Sequence, residues 1–143
     1  MTVKTILSNK GSDVSTIKPT ATLESAIGIL AQRGIGALVV LGVHRRVIGI
    51  LSERDIVRAL AQRGADALTE PVAQVMTRNV STCSRSETVN SLMDQMTADK
   101  VRHLPVVEEK RLVGIVSIGD VVKQRLTEMQ RETEALQEYI QTA

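Results

Sequence analysis

Hydrophobic and polar positions follow the same order twice along the chain of 143 residues. In the first pass, residues 14–17 form a short β-rich run, and Pro19 and Thr20 turn the chain. Leu23, Ala26, Ile27 and Leu30 then recur at the i, i+3, i+4, i+7 spacing of one helix face, behind Thr22 as an N-cap and ahead of Gly34 as a stop. A strand over 37–41, a polar turn holding His44, Arg45 and Arg46, and a strand over 47–51 follow. A second helix spans 53–62, and Gly64 closes it. The pattern predicts strand–helix–strand–strand–helix.

The second pass repeats the first. Val14-Ser15-Thr16 corresponds to Val80-Ser81-Thr82, and the helix face returns as Val89, Leu92, Met93 and Met96, at an offset of 66 residues. From Gly49 to Gly114 the offset is 65, so the first copy carries one extra residue in its turn. Each copy ends in an apolar strand with a glycine inside it, then Ser-x-x-Asp: Ser52-Glu53-Arg54-Asp55 and Ser117-Ile118-Gly119-Asp120. This is a helix-start signature, and such a junction aims free N–H groups and partial positive charge at whatever faces it. A glycine inside a strand marks a close approach, by a ligand or, more readily, by the facing repeat. Units of roughly 60 residues bury too little surface alone, so the two should pack about a pseudo-two-fold axis.

Residues 65–79 connect the units, with a helical turn expected over 71–76. Past the second unit, Val122, Leu126, Met129, Thr133, Leu136 and Ile140 are spaced 4-3-4-3-4, a narrow coiled-coil stripe that needs a partner. A second copy of the chain is the simplest one. The expected organisation is a first unit with its lead-in over 1–64, linker and second unit over 65–125, and a C-terminal amphipathic helix over 126–143.

Composition narrows the function classes. With no Phe, no Trp and only Tyr139, the core is aliphatic and a bound base would lie between Ile, Val and Leu. A net charge of +2 without aromatic stacking platforms argues against a nucleic-acid binder. No nucleophile–base set and no Gly-x-x-x-x-Gly-Lys loop point to an enzyme. Cys83 is the one cysteine and reads as a small core residue. The start lacks a signal-peptide run and no stretch is long enough to span a membrane, so a cytoplasmic location is expected.

The duplicated β-α-β-β-α units, each ending in Gly-h-h-Ser-x-x-Asp (h apolar), resemble a pair of cystathionine-β-synthase (CBS) domains over about residues 12–125. The most family-like stretch is Val101-Arg102-His103-Leu104-Pro105-Val106-Val107 with Gly114-Ile115-Val116-Ser117-Ile118-Gly119-Asp120. The resemblance implies an α/β protein of the α+β type and a cleft for adenine nucleotides: AMP first, with ADP, ATP, NAD or S-adenosylmethionine as family ligands. It implies no metal, a regulatory role without catalysis, a homodimer through the CBS helices and the C-terminal helix, and an unknown effector protein.

In the family, the carboxylate matching Asp55 and Asp120 holds both ribose hydroxyls. The residues alone equally permit a helix capping box. Ser52 and Ser117 meet a phosphate or cap the helix. The resemblance puts Thr16 and Thr82 beside adenine or ribose. It also puts Arg102 and His103, with Leu104 and Pro105 after them, at the cleft. Arg54 and Arg58 share a helix face and reach a phosphate, a dimer partner or only solvent. Gly36 and Ala37 stand where the second copy has Arg102 and His103, and Val39 stands where it has Pro105. The two clefts are thus unlike, taking different ligands or leaving one empty. The competing expectation is a scaffold whose clefts are empty and whose C-terminal helix does the work.

Overall fold

The computed structural model describes residues 1–142. Unit one contains β1 (Thr16–Ile17), α2 (Leu23–Arg33), β2 (Ala37–Leu41), β3 (Val47–Ser52) and α3 (Glu53–Arg63), preceded by a helix, α1 (Val3–Lys10), that the sequence reading left unassigned. The connection carries a 3-10 segment at Gly64–Thr69 and the expected helical turn, α4 (Val72–Val75). Unit two holds α5 (Val89–Asp99), β4 (His103–Glu108), β5 (Arg111–Ser117) and α6 (Ile118–Thr142). The helices begin where the caps predict. Thr22 Oγ1 accepts the Ser25 N–H at 3.2 Å, and Thr88 Oγ1 accepts the Ser91 N–H at 3.1 Å. Gly34 closes α2 at φ 60°, and Lys100 closes α5 at φ 55°.

In unit one, β1 runs parallel to β2, and β2 antiparallel to β3. Unit two pairs β4 with β5, and the strand expected at 80–82 is not formed. Only Cys83 bridges Val106, with the Cys83 N–H on the Pro105 carbonyl at 3.0 Å and the Val107 N–H on the Cys83 carbonyl at 2.9 Å. The cause is one residue. The Val39 N–H donates to the Ser15 carbonyl at 3.2 Å, and its counterpart Pro105 has no N–H to offer Ser81.

The lead-ins are exchanged between units. Val3, Ile6 and Leu7 of α1 lie in the core of unit two with Leu92, Leu104 and Val116. Val72 of α4 and the adjoining Met76 lie in the core of unit one with Leu23, Leu38 and Leu51. The backbone bonds match in pairs: Val3 N–H to Glu87 O at 2.9 Å and Val89 N–H to Met1 O at 3.0 Å, against Leu23 N–H to Glu70 O at 2.9 Å and Val72 N–H to Ala21 O at 2.8 Å. The strand glycines make room for this exchange. A Cβ on Gly49 would run into Met76 Sδ, and one on Gly114 would sit 2.9 Å from Leu7 Cδ2. The close approach is therefore made by the lead-in of the facing repeat. At the hairpins, Arg46 bridges Arg111, its own counterpart.

α6 continues for 25 residues without interruption, through position 125. Val121 and Gln124 are buried, whereas every described residue from 129 onward is exposed. The helix starts as the closing element of unit two and leaves the body with its apolar stripe uncovered.

Candidate functional site

Both Ser-x-x-Asp corners close as capping boxes. Asp55 Oδ2 accepts the Ser52 N–H at 2.9 Å and its hydroxyl at 3.1 Å, while Ser52 Oγ faces the Asp55 N–H at 3.3 Å. Asp120 and Ser117 repeat this at 2.9, 3.0 and 3.2 Å. Each carboxylate also takes one group from an exchanged lead-in. Thr77 Oγ1 donates to Asp55 Oδ1 at 3.1 Å, and Lys10 Nζ lies 2.7 Å from Asp120 Oδ2.

Each corner opens on a cavity completed by the other unit. The Asp55 cavity, about 400 Å³, joins Ser52, Arg54 and Asp55 to Arg102 and His103 of unit two. The Asp120 cavity, about 290 Å³, joins Ser117 and Asp120 to Gly36 and Ala37 of unit one. Gly36 and His103 border both. The larger cavity lies within the range of small-molecule sites and the smaller at its lower edge. Their charges differ as well. Arg54, Arg58, Lys100 and Arg102 outnumber Glu53 and Asp55 around the first, whereas Lys10 faces Asp13 and Asp120 in the second.

Burial lowers the His103 pKa below its ordinary 6.5, and the Lys10 and Arg102 charges push the same way against Asp120 and Glu53. The imidazole is therefore neutral at pH 7, a donor and an acceptor rather than a cation. The unfolded chain binds this proton more readily, so the contribution of His103 to stability is complete above 6.5 and is lost as pH falls below it. Urea denaturation at about pH 7.5 and about pH 5.5 is expected to show less stability at the lower pH, with the drop reduced in His103→Gln. An equal drop in the variant would assign it to other groups. Burial alone would raise the Asp120 pKa, but the hydrogen bonds from Lys10 and Ser117 outweigh it and hold the carboxyl below its ordinary range.

The cavities gather Gly36, Ala37, Ser52, Arg54, Asp55, Arg102, His103, Ser117 and Asp120. The other expected residues lie outside their linings. Thr16 pairs with Val39 in the sheet, Leu104 is fully buried in the core, and the Pro105 carbonyl is taken by Cys83. Thr82 is exposed, and its carbonyl accepts Gln95 Nε2 at 2.9 Å. The sequence reading missed Lys10, Asp13, Thr77 and Lys100 as lining residues. Lys100 left a signal: a lysine takes the left-handed stop position that Gly34 holds in unit one. Burial, with Glu87 and Glu108 nearby, pushes the Cys83 thiol up to about 12, which keeps it protonated and inert. Among the described residues no group of three His, Cys, Asp or Glu is placed to hold a metal, and no helix is long and apolar enough to cross a membrane.

This architecture is that of a tandem CBS pair, and the chain belongs to the CBS domain family, whose profile matches residues 3–62 and 72–126. The fold is shared with the CBS-domain containing protein ATU1752 from Agrobacterium tumefaciens, at 46% identity and TM-score 0.83, over 87% of this chain and 92% of that one. The mitochondrial CBS domain-containing protein CBSX3 of Arabidopsis thaliana is 35% identical over 124 residues, 84% of this chain but 60% of its own length. The CBS domain pair of MJ0100, solved in complex with 5′-methylthioadenosine and S-adenosyl-L-methionine, is 29% identical with TM-score 0.79, covering 90% of this chain and 98% of that one.

Proposed function

We propose that the chain is a regulatory module that binds an adenine nucleotide, AMP foremost, in the Asp55 cavity and transmits occupancy to a partner protein. The observation that carries this reading is the composition of that cavity. A helix-start carboxylate suited to a vicinal diol shares it with four cations, Arg54, Arg58, Lys100 and Arg102, contributed by both units. The adenosine-containing ligands of the MJ0100 pair support the same ligand class. A ligand that touches both units favours one relative packing of them, and only such differential affinity shifts an equilibrium. A thermal-shift panel of AMP, ADP, ATP, NAD, NADH and S-adenosylmethionine tests the reading; no response to any of them would leave the scaffold alternative standing.

The partner that supports this role structurally is a second copy. Val122, at 46% exposed, begins an apolar stripe that ends at Ile140, at 65%. Lys123 and Arg125 flank its start and Glu132, Glu134 and Glu138 its end, so antiparallel pairing places opposite charges together and opposes the helix dipoles. The open apolar groove between α2 and α3, about 530 Å³ and lined by Ile27, Leu30, Ile56 and Leu60, offers the CBS helices as a further contact. Light scattering is expected to give a dimer for the parent and a monomer for Leu126→Glu/Leu136→Glu. A monomeric parent would refute the assignment.

A further inference from the structure

The two corners are chemically parallel but differently filled. In unit one, the Ile50 carbonyl accepts the Thr77 N–H at 2.9 Å and Asp55 accepts the Thr77 hydroxyl at 3.1 Å. In unit two, the counterpart pair is met by one side chain. Lys10 Nζ donates to the Ile115 carbonyl at 3.1 Å and to Asp120 Oδ2 at 2.7 Å. Thr77 binds from the edge with a short hydroxyl. The Lys10 ammonium reaches in from the end of α1 and lines the smaller cavity.

We infer that Lys10 is an internal occupant of the Asp120 cavity, which holds the second nucleoside site shut and restricts the chain to one ligand. This rests on the reading of the Asp55 cavity as a nucleotide site. A ribose diol seeks both oxygens of one carboxylate, and at Asp120 the Lys10 ammonium already shares Oδ2 with Ser117. Entry there breaks a charge-assisted bond and leaves the lysine to find water. Thr77 gives up far less at Asp55, because its hydroxyl is neutral and its backbone bonds to Ile50 stay in place. Asp13 adds negative charge to the smaller cavity, so phosphate gains little there from the lysine. Lys10 thus sets stoichiometry.

Isothermal titration with AMP, and separately with 5′-methylthioadenosine, tests this on the full chain. The parent is expected to bind one molecule per chain. Lys10→Ala is expected to bind two, the second at least about tenfold tighter than any second event in the parent. Lys10→Met, which keeps the aliphatic stem, should behave alike and excludes misfolding as the cause. Adding Asp120→Ala should return the count to one. Two equal sites in the parent, or a second site weakened by loss of the lysine, would overturn the inference and make Lys10 a ligand contact. One site in every variant overturns it while leaving the Asp55 reading intact. No binding by the parent but binding by Lys10→Met that needs Asp120 would overturn the one-ligand stoichiometry and sink the Asp55 reading. No binding by any of them overturns both.

Discussion

Asp55→Ala is expected to abolish the stabilisation proposed for AMP on the parent. At about 100 times its dissociation constant a ligand adds about 2.7 kcal/mol, which for a chain of this length raises Tm by roughly 5–10 °C. The carboxylate commits Oδ2 to Ser52 and takes the Thr77 hydroxyl on Oδ1. A diol needs two acceptors in one group, and an oxygen that receives a hydroxyl can exchange it for another. The substitution also removes the Asp55 half of the capping box, leaving Ser52 Oγ on the residue-55 N–H, and so lowers basal stability. The quantity to read is therefore the ligand-induced shift, not Tm itself. Asp55→Asn, which still caps the helix but lacks the charge, separates the two losses. A shift in Asp55→Ala as large as the parent's would remove Asp55 from the binding site.

The parts of this molecule that were legible in its sequence are those written in short-range spacing. Thr22 and Thr88 cap, the faces led by Leu23 and Val89 bury, and Ser-x-x-Asp starts a helix, because each signal lies within one or two turns of the residues it governs. The corner residues Asp55 and Asp120 follow from that pattern, whereas their convergence on the facing unit's Arg102, His103, Gly36 and Ala37 is a tertiary outcome that spacing alone does not give. What was hidden depends on tertiary exchange. Val3, Ile6 and Leu7 precede their counterparts Val72, Val75 and Met76 by 69 residues, not 66, so α1 falls outside the repeat's register. Alone it shows little more than one apolar turn. Lys10 and Thr77 reach the carboxylates only because the lead-ins cross to the other unit. The missing strand before Cys83 was readable in principle, since Pro105 stands opposite it without an N–H. The uninterrupted α6 was readable too, because no Gly or Pro follows Gly119.

The exchange of lead-ins makes Leu7→Ala a core substitution of unit two, although Leu7 stands 82 residues before Val89 in the chain. Leu7 is 7% exposed, so its truncation is expected to cost about 2–5 kcal/mol, a large part of a domain's total stability. Gly114→Ala alone should cost about 1–3 kcal/mol, because its Cβ would meet Leu7 Cδ2 at 2.9 Å and force the side chain or α1 outward. Together the two should cost less than their sum, since the new methyl occupies part of the space that the leucine leaves. A coupling of about 1 kcal/mol in urea denaturation is expected, as for residues in direct contact. Gly49→Ala with Met76→Ala repeats the test across the internal axis, where an adaptable thioether should yield more easily and couple less. Strict additivity at Gly114 would mean that α1 does not rest on β5 in solution, and the approach of Lys10 to Asp120 would lose its support.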